Sequence, residues 1–215
     1  MRLVLLGAPG SGKGTQAERL TAKYRIPHVS TGNILRLAIE HKTELGTLAN
    51  TYIKEGKLVP DAVIIRVVEE RLAQSDCSLG FILDGFPRTV TQAEMLKQWT
   101  VQTKQSLTKV VYFQVSESTL IKRLINRRVC SKCEAIYHLI THPPKIAGKC
   151  DLCGNAVIQR PDDEETTVIN RLKVYKELTE PLLEYYQKLD LLLVVDGENN
   201  AETIFVSLVT QLTKS

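Results

Sequence analysis

Leu3-Val4-Leu5-Leu6-Gly7-Ala8-Pro9-Gly10-Ser11-Gly12-Lys13-Gly14-Thr15 is the stretch on which the reading of this chain turns. A short apolar run stops at a glycine-rich loop, and helical spacing begins behind it and runs to about Tyr24. Strand, glycine loop and helix in that order are the context a phosphate-binding loop requires. The glycines let successive backbone N–H groups point inward, the helix N-terminus adds partial positive charge, and Lys13 extends to the outer phosphates. Gly10, Ser11, Gly12, Lys13, Gly14 and Thr15 are therefore the candidate polyphosphate contacts. The strict pattern puts Ser or Thr directly after the Lys. Here Gly14 intervenes, so a direct hydroxyl ligand to Mg²⁺ from Thr15 stays open.

Further apolar, β-rich runs follow at Phe81 to Leu83, Val110 to Val115 and Leu191 to Val195, with a short candidate at His28-Val29-Ser30. They are continuously apolar instead of alternating, the mark of strands buried on both faces. Helical spacing lies between them, as at Val63, Val67, Val68 and Leu72. The expected fold is α/β, a parallel sheet flanked by helices. A chain of 215 residues, 43% apolar and 24% charged, is enough for one core without metal or disulfides. The net charge of +4 is too small for a general binder of nucleic acid or membrane surfaces. No apolar stretch approaches the roughly 20 residues of a membrane span, and Leu3 to Leu6 is too short for a signal-peptide core. A cytoplasmic location is expected.

Val129 to Pro161 breaks the α/β pattern and reads as a small inserted subdomain. Its flanks are predicted as a helix from Ser116 to Arg128 and another from Asp162 to about Lys188. Cys130-x2-Cys133 and Cys150-x2-Cys153 stand sixteen residues apart. In a reducing compartment this spacing points to a closed tetrahedral Zn²⁺ site that stiffens a segment too small for its own core. Cys77 stands alone and is read as a small buried hydrophobe.

The loop from Gly7 to Thr15, Ser30-Thr31-Gly32-Asn33 with Arg36, Asp84-Gly85-Phe86-Pro87-Arg88 with Gln92, and Arg127-Arg128 ahead of the cysteine pairs together resemble adenylate kinase of the long-lid, zinc-type bacterial form. The resemblance spans essentially the whole chain. It implies one kinase domain over residues 1–215, a flap at 30–59 for the acceptor AMP, and a lid at 126–163 that carries the zinc. It also implies transfer of a phosphoryl group from Mg·ATP to AMP to give two ADP, and a monomer.

Residue roles follow from the resemblance. Lys13, Asp84, Arg88, Arg127, Arg160 and Arg171 would carry the chemistry. Phosphoryl transfer to a phosphate oxyanion needs no general base, so cations and position supply the catalysis. ATP would meet the loop, Arg123 against its adenine, Arg127, Ile136-Tyr137 and Asn199, the last standing where many relatives have Lys. AMP would meet Thr31, Arg36, Lys57-Leu58-Val59, Gly85, Phe86, Pro87, Arg88, Gln92, Arg160 and Arg171. Guanidinium forks suit its phosphate. Thr31 with Gln92 points to adenine over a pyrimidine. Thr89-Val90-Thr91-Gln92 also fits a helix capping box, and both readings can hold. Asp162 and Asp163 either order metal-bound water or cap the following helix. Asn33 stands where the family usually has Asp.

Other classes fit less well. A guanine-nucleotide switch lacks an Asn-Lys-x-Asp stretch. A nucleic-acid module built on the basic cysteine region, with Lys132, Lys145 and Lys149, has few aromatics beyond Tyr137 for base stacking. A kinase for another nucleoside monophosphate on the same fold is the nearest rival.

Overall fold

The computed structural model describes residues 1–214. In the first half, strands β1 (Arg2–Leu6), β2 (His28–Ser30), β3 (Phe81–Asp84) and β4 (Lys109–Gln114) alternate with helices α1 (Lys13–Tyr24), α2 (Thr31–Glu40), α3 (Glu44–Lys54), α4 (Asp61–Leu72) and α5 (Val90–Gln102). After α6 (Glu117–Ile125) come three short strands, β5 (Arg127–Cys130), β6 (Ile136–His138) and β7 (Val157–Ile158). The chain ends with α7 (Glu165–Val174), α8 (Leu182–Lys188), β8 (Leu192–Asp196) and α9 (Ala201–Lys214).

The main sheet has the order β2-β3-β1-β4-β8, every pairing parallel. The expected α/β architecture and all five sequence-read strands are therefore present. Alternation within β1 explains its unbroken apolar run. Leu3 and Leu5 pack with Ala17 and Leu20 of α1 and with Ile204 and Leu208 of α9. Val4 and Leu6 turn the other way, onto Val68 of α4, Leu96 of α5 and Leu182 of α8. Each such side chain gives roughly 1.5–3 kcal/mol on burial, so both helical layers are tied to the central strand.

Two helix boundaries differ from expectation. The helix predicted to reach Arg128 stops at Ile125, and Arg127 opens β5, which pairs antiparallel with β6 and β7. Arg127 thus lies on a strand and not on the helix that carries Arg123. Val129, paired with both Ile136 and Ile158, joins the cysteine subdomain instead of extending α6. The helix expected over 162–188 is interrupted by a wide turn at Tyr175–Thr179 and by Pro181, which cannot donate within a helix.

Helices α2 and α3 form a hairpin over the cavity described below. Thr43 accepts from Gly46 N–H at 3.1 Å and donates to the Ala38 carbonyl at 3.2 Å. Gly46 is required by close approach: a Cβ there would strike the Ala38 carbonyl and lie 2.6 Å from Ile39 N. Gly46→Ala is expected to cost about 1–3 kcal/mol and lower Tm by several degrees in calorimetry. An unchanged Tm would contradict that packing.

Candidate active site

A cavity of about 1070 Å³ opens at the carboxyl ends of β1 and β3, where parallel sheets place their ligands. It is walled by the glycine loop, α2, Gly56 and Leu58 behind α3, the cysteine subdomain and α7. The loop leaves β1 and ends at Gly12, the N-cap of α1, with φ +91°. Gly10, at φ +85°, has no room for a side chain: a Cβ would sit 2.9 Å from Leu124 Cγ and 3.0 Å from the Leu120 carbonyl. Lys13 Nζ donates to the Gly7 and Ala8 carbonyls at 2.6 and 3.0 Å and to Ser11 Oγ at 3.4 Å. Withdrawal from water lowers its pKa to about 8, with Asp84 opposing and Arg88, Arg171 and Arg127 reinforcing the fall.

Asp84 ends β3, its Oδ2 3.2 Å from His28 Nε2 of β2. Burial would raise its carboxyl, but the His28 hydrogen bond, Lys13 and Arg88 outweigh burial and hold it below the usual carboxylate range. Its Oδ2 lies 3.8 Å from where a Cβ on Gly14 would stand, and Ile136 Cδ1 of the cysteine subdomain 3.6 Å from the same point. Arg88 donates from Nε to the Gly85 carbonyl at 2.8 Å. Desolvation and repulsion by Arg171 bring its pKa to about 10.

The remaining arginines arrive from three directions. Arg127 of β5 grips Asp163 with Nε at 2.8 Å and Nη2 at 2.5 Å. Arg171 of α7 reaches the same carboxylate at 3.0 Å and Asp162 at 3.0 Å. Arg160 has its pKa lowered to about 10 by burial and by Arg36 and Arg127. Burial opposes ionisation of Asp162, but Arg171 and Arg127 hold it below the ordinary range. Neither aspartate caps α7, whose N-cap is Glu164 without a side-chain bond. Asp162 and Asp163 are instead the counterions of the cluster, a role their sequence position did not announce.

Of the expected residues, the loop, Arg36, Leu58, Gly85, Pro87, Arg123, Ile136, Tyr137 and Asn199 also line the cavity. Tyr137 is at the same time part of the cysteine subdomain's interior: its hydroxyl donates to Cys150 Sγ at 3.3 Å and accepts from Asp151 N–H at 2.7 Å. Phe86 and Val59 are buried in the core. Lys57 is exposed and pairs with Glu55 at 2.6 Å. Thr31 and Gln92 lie buried behind the wall, Thr31 Oγ1 donating to the Gly85 carbonyl at 2.9 Å. Thr89 does cap α5, accepting from Gln92 N–H at 3.1 Å. The Gln92 side chain closes the motif one residue early, on Arg88 N–H at 2.7 Å.

Sequence reasoning missed two neighbours. Asp61 accepts from Gln92 Nε2 at 2.6 Å. Glu134, between Cys133 and Ala135, holds Arg36 Nε at 3.5 Å while the Arg36 fork also donates to Asn33. The one trace of Glu134 is backbone: it sits at φ +56°, a left-handed conformation that favours glycine. Nothing local marks either pairing, since each joins segments distant in sequence.

The four cysteine sulfurs lie within 4.8 Å of one another, and Lys132 and Cys133 N–H groups point at Cys130 Sγ at 3.4 and 3.5 Å. The Tyr137 hydroxyl holds the Cys150 thiol below its usual range. Four soft ligands with N–H and O–H donors around them are a closed metal-binding set.

Parallel sheet, phosphate loop and converging guanidinium groups define a nucleotide phosphotransferase of the P-loop kinase class. A family model described as adenylate kinase matches residues 5–191. The chain is 49% identical over 214 residues to the adenylate kinase of Finegoldia magna, covering 100% of each. It is also 49% identical to that of Archaeoglobus fulgidus over 214 residues, 100% of this chain and 99% of the relative. With the Moorella thermoacetica adenylate kinase the figure is 50% over 208 residues, 97% and 96% of the two chains. The chain belongs to the adenylate kinase family.

With its pKa lowered to about 8, Lys13 loses its charge in the free protein as pH rises through that range. Consequently kcat/KM for ATP is expected to fall as pH rises through about 8, and kcat at saturating ATP to break at higher pH, since bound phosphates favour the protonated amine. A flat kcat/KM profile across that range would contradict the assignment.

Proposed function

We propose an assignment of residues to the reaction that is this chain's activity, ATP with AMP giving two ADP. One observation carries it: Lys13, Arg88, Arg127, Arg160 and Arg171 converge on a single cavity at the end of β1 and β3. The loop from Gly10 to Thr15 holds the ATP phosphates, Lys13 taking the outer ones. Arg123 and Asn199 flank its adenine. Arg36 and Arg88 clamp the AMP phosphate, and Gln92 and Thr31 read its base. Arg127 contacts ATP, while Arg160 and Arg171 follow the phosphoryl group as it moves. The acceptor oxyanion attacks in line, so fixed cations lower the barrier by neutralising charge that spreads over the transferred group. Mg²⁺ carried on ATP would supply further neutralisation across the phosphates. The ionised Asp84 carboxylate, close to Gly14, fits its water shell.

Residues 30–59, which hold the α2–α3 hairpin, act as the acceptor flap, and 126–163 as the lid. Their closure excludes water and so suppresses ATP hydrolysis. Zn²⁺ is the metal that best suits the four cysteines. Held by Cys130, Cys133, Cys150 and Cys153, it would stiffen the lid and take no part in phosphoryl transfer. Among the described residues no helix is long and apolar enough to cross a membrane. The protein works as a monomer in the cytoplasm, with ATP, AMP and ADP as its partners.

A coupled assay of ADP formation with AMP, CMP, UMP and GMP tests the assignment. AMP is expected to be strongly preferred; equal use of CMP or UMP would remove Thr31 and Gln92 as base readers. Lys13→Met is expected to fold and to lose at least about a hundredfold in kcat. Near-normal turnover would refute the role of Lys13. Stripping the metal with a chelator is expected to lower Tm while leaving measurable transfer at low temperature. An unchanged Tm would contradict a metal-stiffened lid.

A further inference from the structure

Gln92 has a planar amide whose two ends exchange under a half-turn, and the base it would read depends on which end points where. Its Oε1 accepts from Arg88 N–H at 2.7 Å, and its Nε2 donates to Asp61 Oδ1 at 2.6 Å. A backbone N–H can only donate and a carboxylate only accept, so a single orientation satisfies both. The second oxygen of Asp61 is itself fixed, accepting from Thr89 Oγ1 at 3.1 Å. That hydroxyl in turn accepts from Gln92 N–H at 3.1 Å. Asp61 is the first residue of α4 and Thr89 the N-cap of α5, so the network rests on two helix starts. Gln92 is 2% exposed, and turning its amide over would set two acceptors and two donors against each other away from water.

We propose that Asp61 is a positioning residue for base selection, holding the Gln92 amide so that its remaining N–H and lone pair form a fixed donor and acceptor pair. Adenine presents an acceptor at N1 beside a donor at N6 and matches that pair. Hypoxanthine, with a donor at N1 and an acceptor at O6, reverses it. A freely turning glutamine would accept either base; a locked one rejects the reversed edge. This rests on the reading of Gln92 as the base contact.

AMP and IMP differ only in that edge, so the ratio of their kcat/KM values isolates the effect. Asp61→Asn keeps the shape but replaces the acceptor-only group by an amide that pairs with either end of Gln92, which removes one of the two locks and leaves the Arg88 N–H as the other. The ratio of AMP to IMP is expected to fall about tenfold, mainly through the acceptor KM, with the KM for ATP little changed. Asp61→Ala serves the same purpose if the Asn variant does not fold. In a Gln92→Ala background, Asp61→Asn is expected to leave the ratio where Gln92→Ala alone put it, as required of a residue acting through the amide. A lower Tm with the wild-type ratio would make Asp61 a helix-start acid only and overturn the inference, while a fall in the ratio on Gln92→Ala would keep Gln92 as the base reader. If Gln92→Ala leaves the ratio as in the wild type, base reading by Gln92 is wrong and the role of Asp61 falls with it.

Discussion

The buried carboxylate of Asp163 fixes the geometry of the cavity. It is fully withdrawn from solvent and takes Arg127 from the lid strand and Arg171 from α7 on the same group. Two guanidinium groups so close repel each other, and the shared anion together with Asp162 offsets that repulsion. A buried pair of this sort is weak as a source of stability, because desolvation cancels much of the Coulomb attraction. Its value is positional. The cations are assembled in advance, so a phosphate entering the cavity meets charges that need little rearrangement.

The same balance explains the displaced proton affinities. Arg88, Arg160 and Lys13 all bind their protons less firmly than usual, first through desolvation and then through their cationic neighbours. Such a cluster is destabilising by itself and is relieved by anions, which is the property a site for two nucleotides requires. Glu134 fits this picture, giving Arg36 a carboxylate across the gap between the lid and the α2–α3 hairpin. The main sheet's part is to deliver the loop and Asp84 side by side, because β1 and β3 are adjacent and parallel.

What could be read in the sequence was what is local. The strand-loop-helix order at Leu3 to Tyr24, the doubly buried strands and the cysteine spacing each depend on neighbours a few residues away. Arg127 was placed on a helix because α6 has apolar spacing up to Ile125; only the pairing of Val129 with Ile136 and Ile158 pulls the chain into a strand. Asp162 and Asp163 resembled helix-start acids and proved to be counterions: Asp163 meets Arg127, some distance back along the chain, and both meet Arg171 further on in α7. Asp61 was hidden for the same reason: after Pro60 it reads as an ordinary first-turn acid, and its contact with Gln92 exists only once α4 and α5 pack. The fold was thus more legible than the site, whose residues meet through tertiary structure.

A crystal structure with AMP and a non-hydrolysable ATP analogue tests the convergence of cations on two phosphates most directly. The expected result places both nucleotides in the one cavity, with the acceptor oxygen in line with the terminal phosphorus and about 3–3.5 Å from it. Arg88, Arg127, Arg160 and Arg171 would then contact the phosphates. A single bound nucleotide, or two with these arginines turned to solvent, would contradict it.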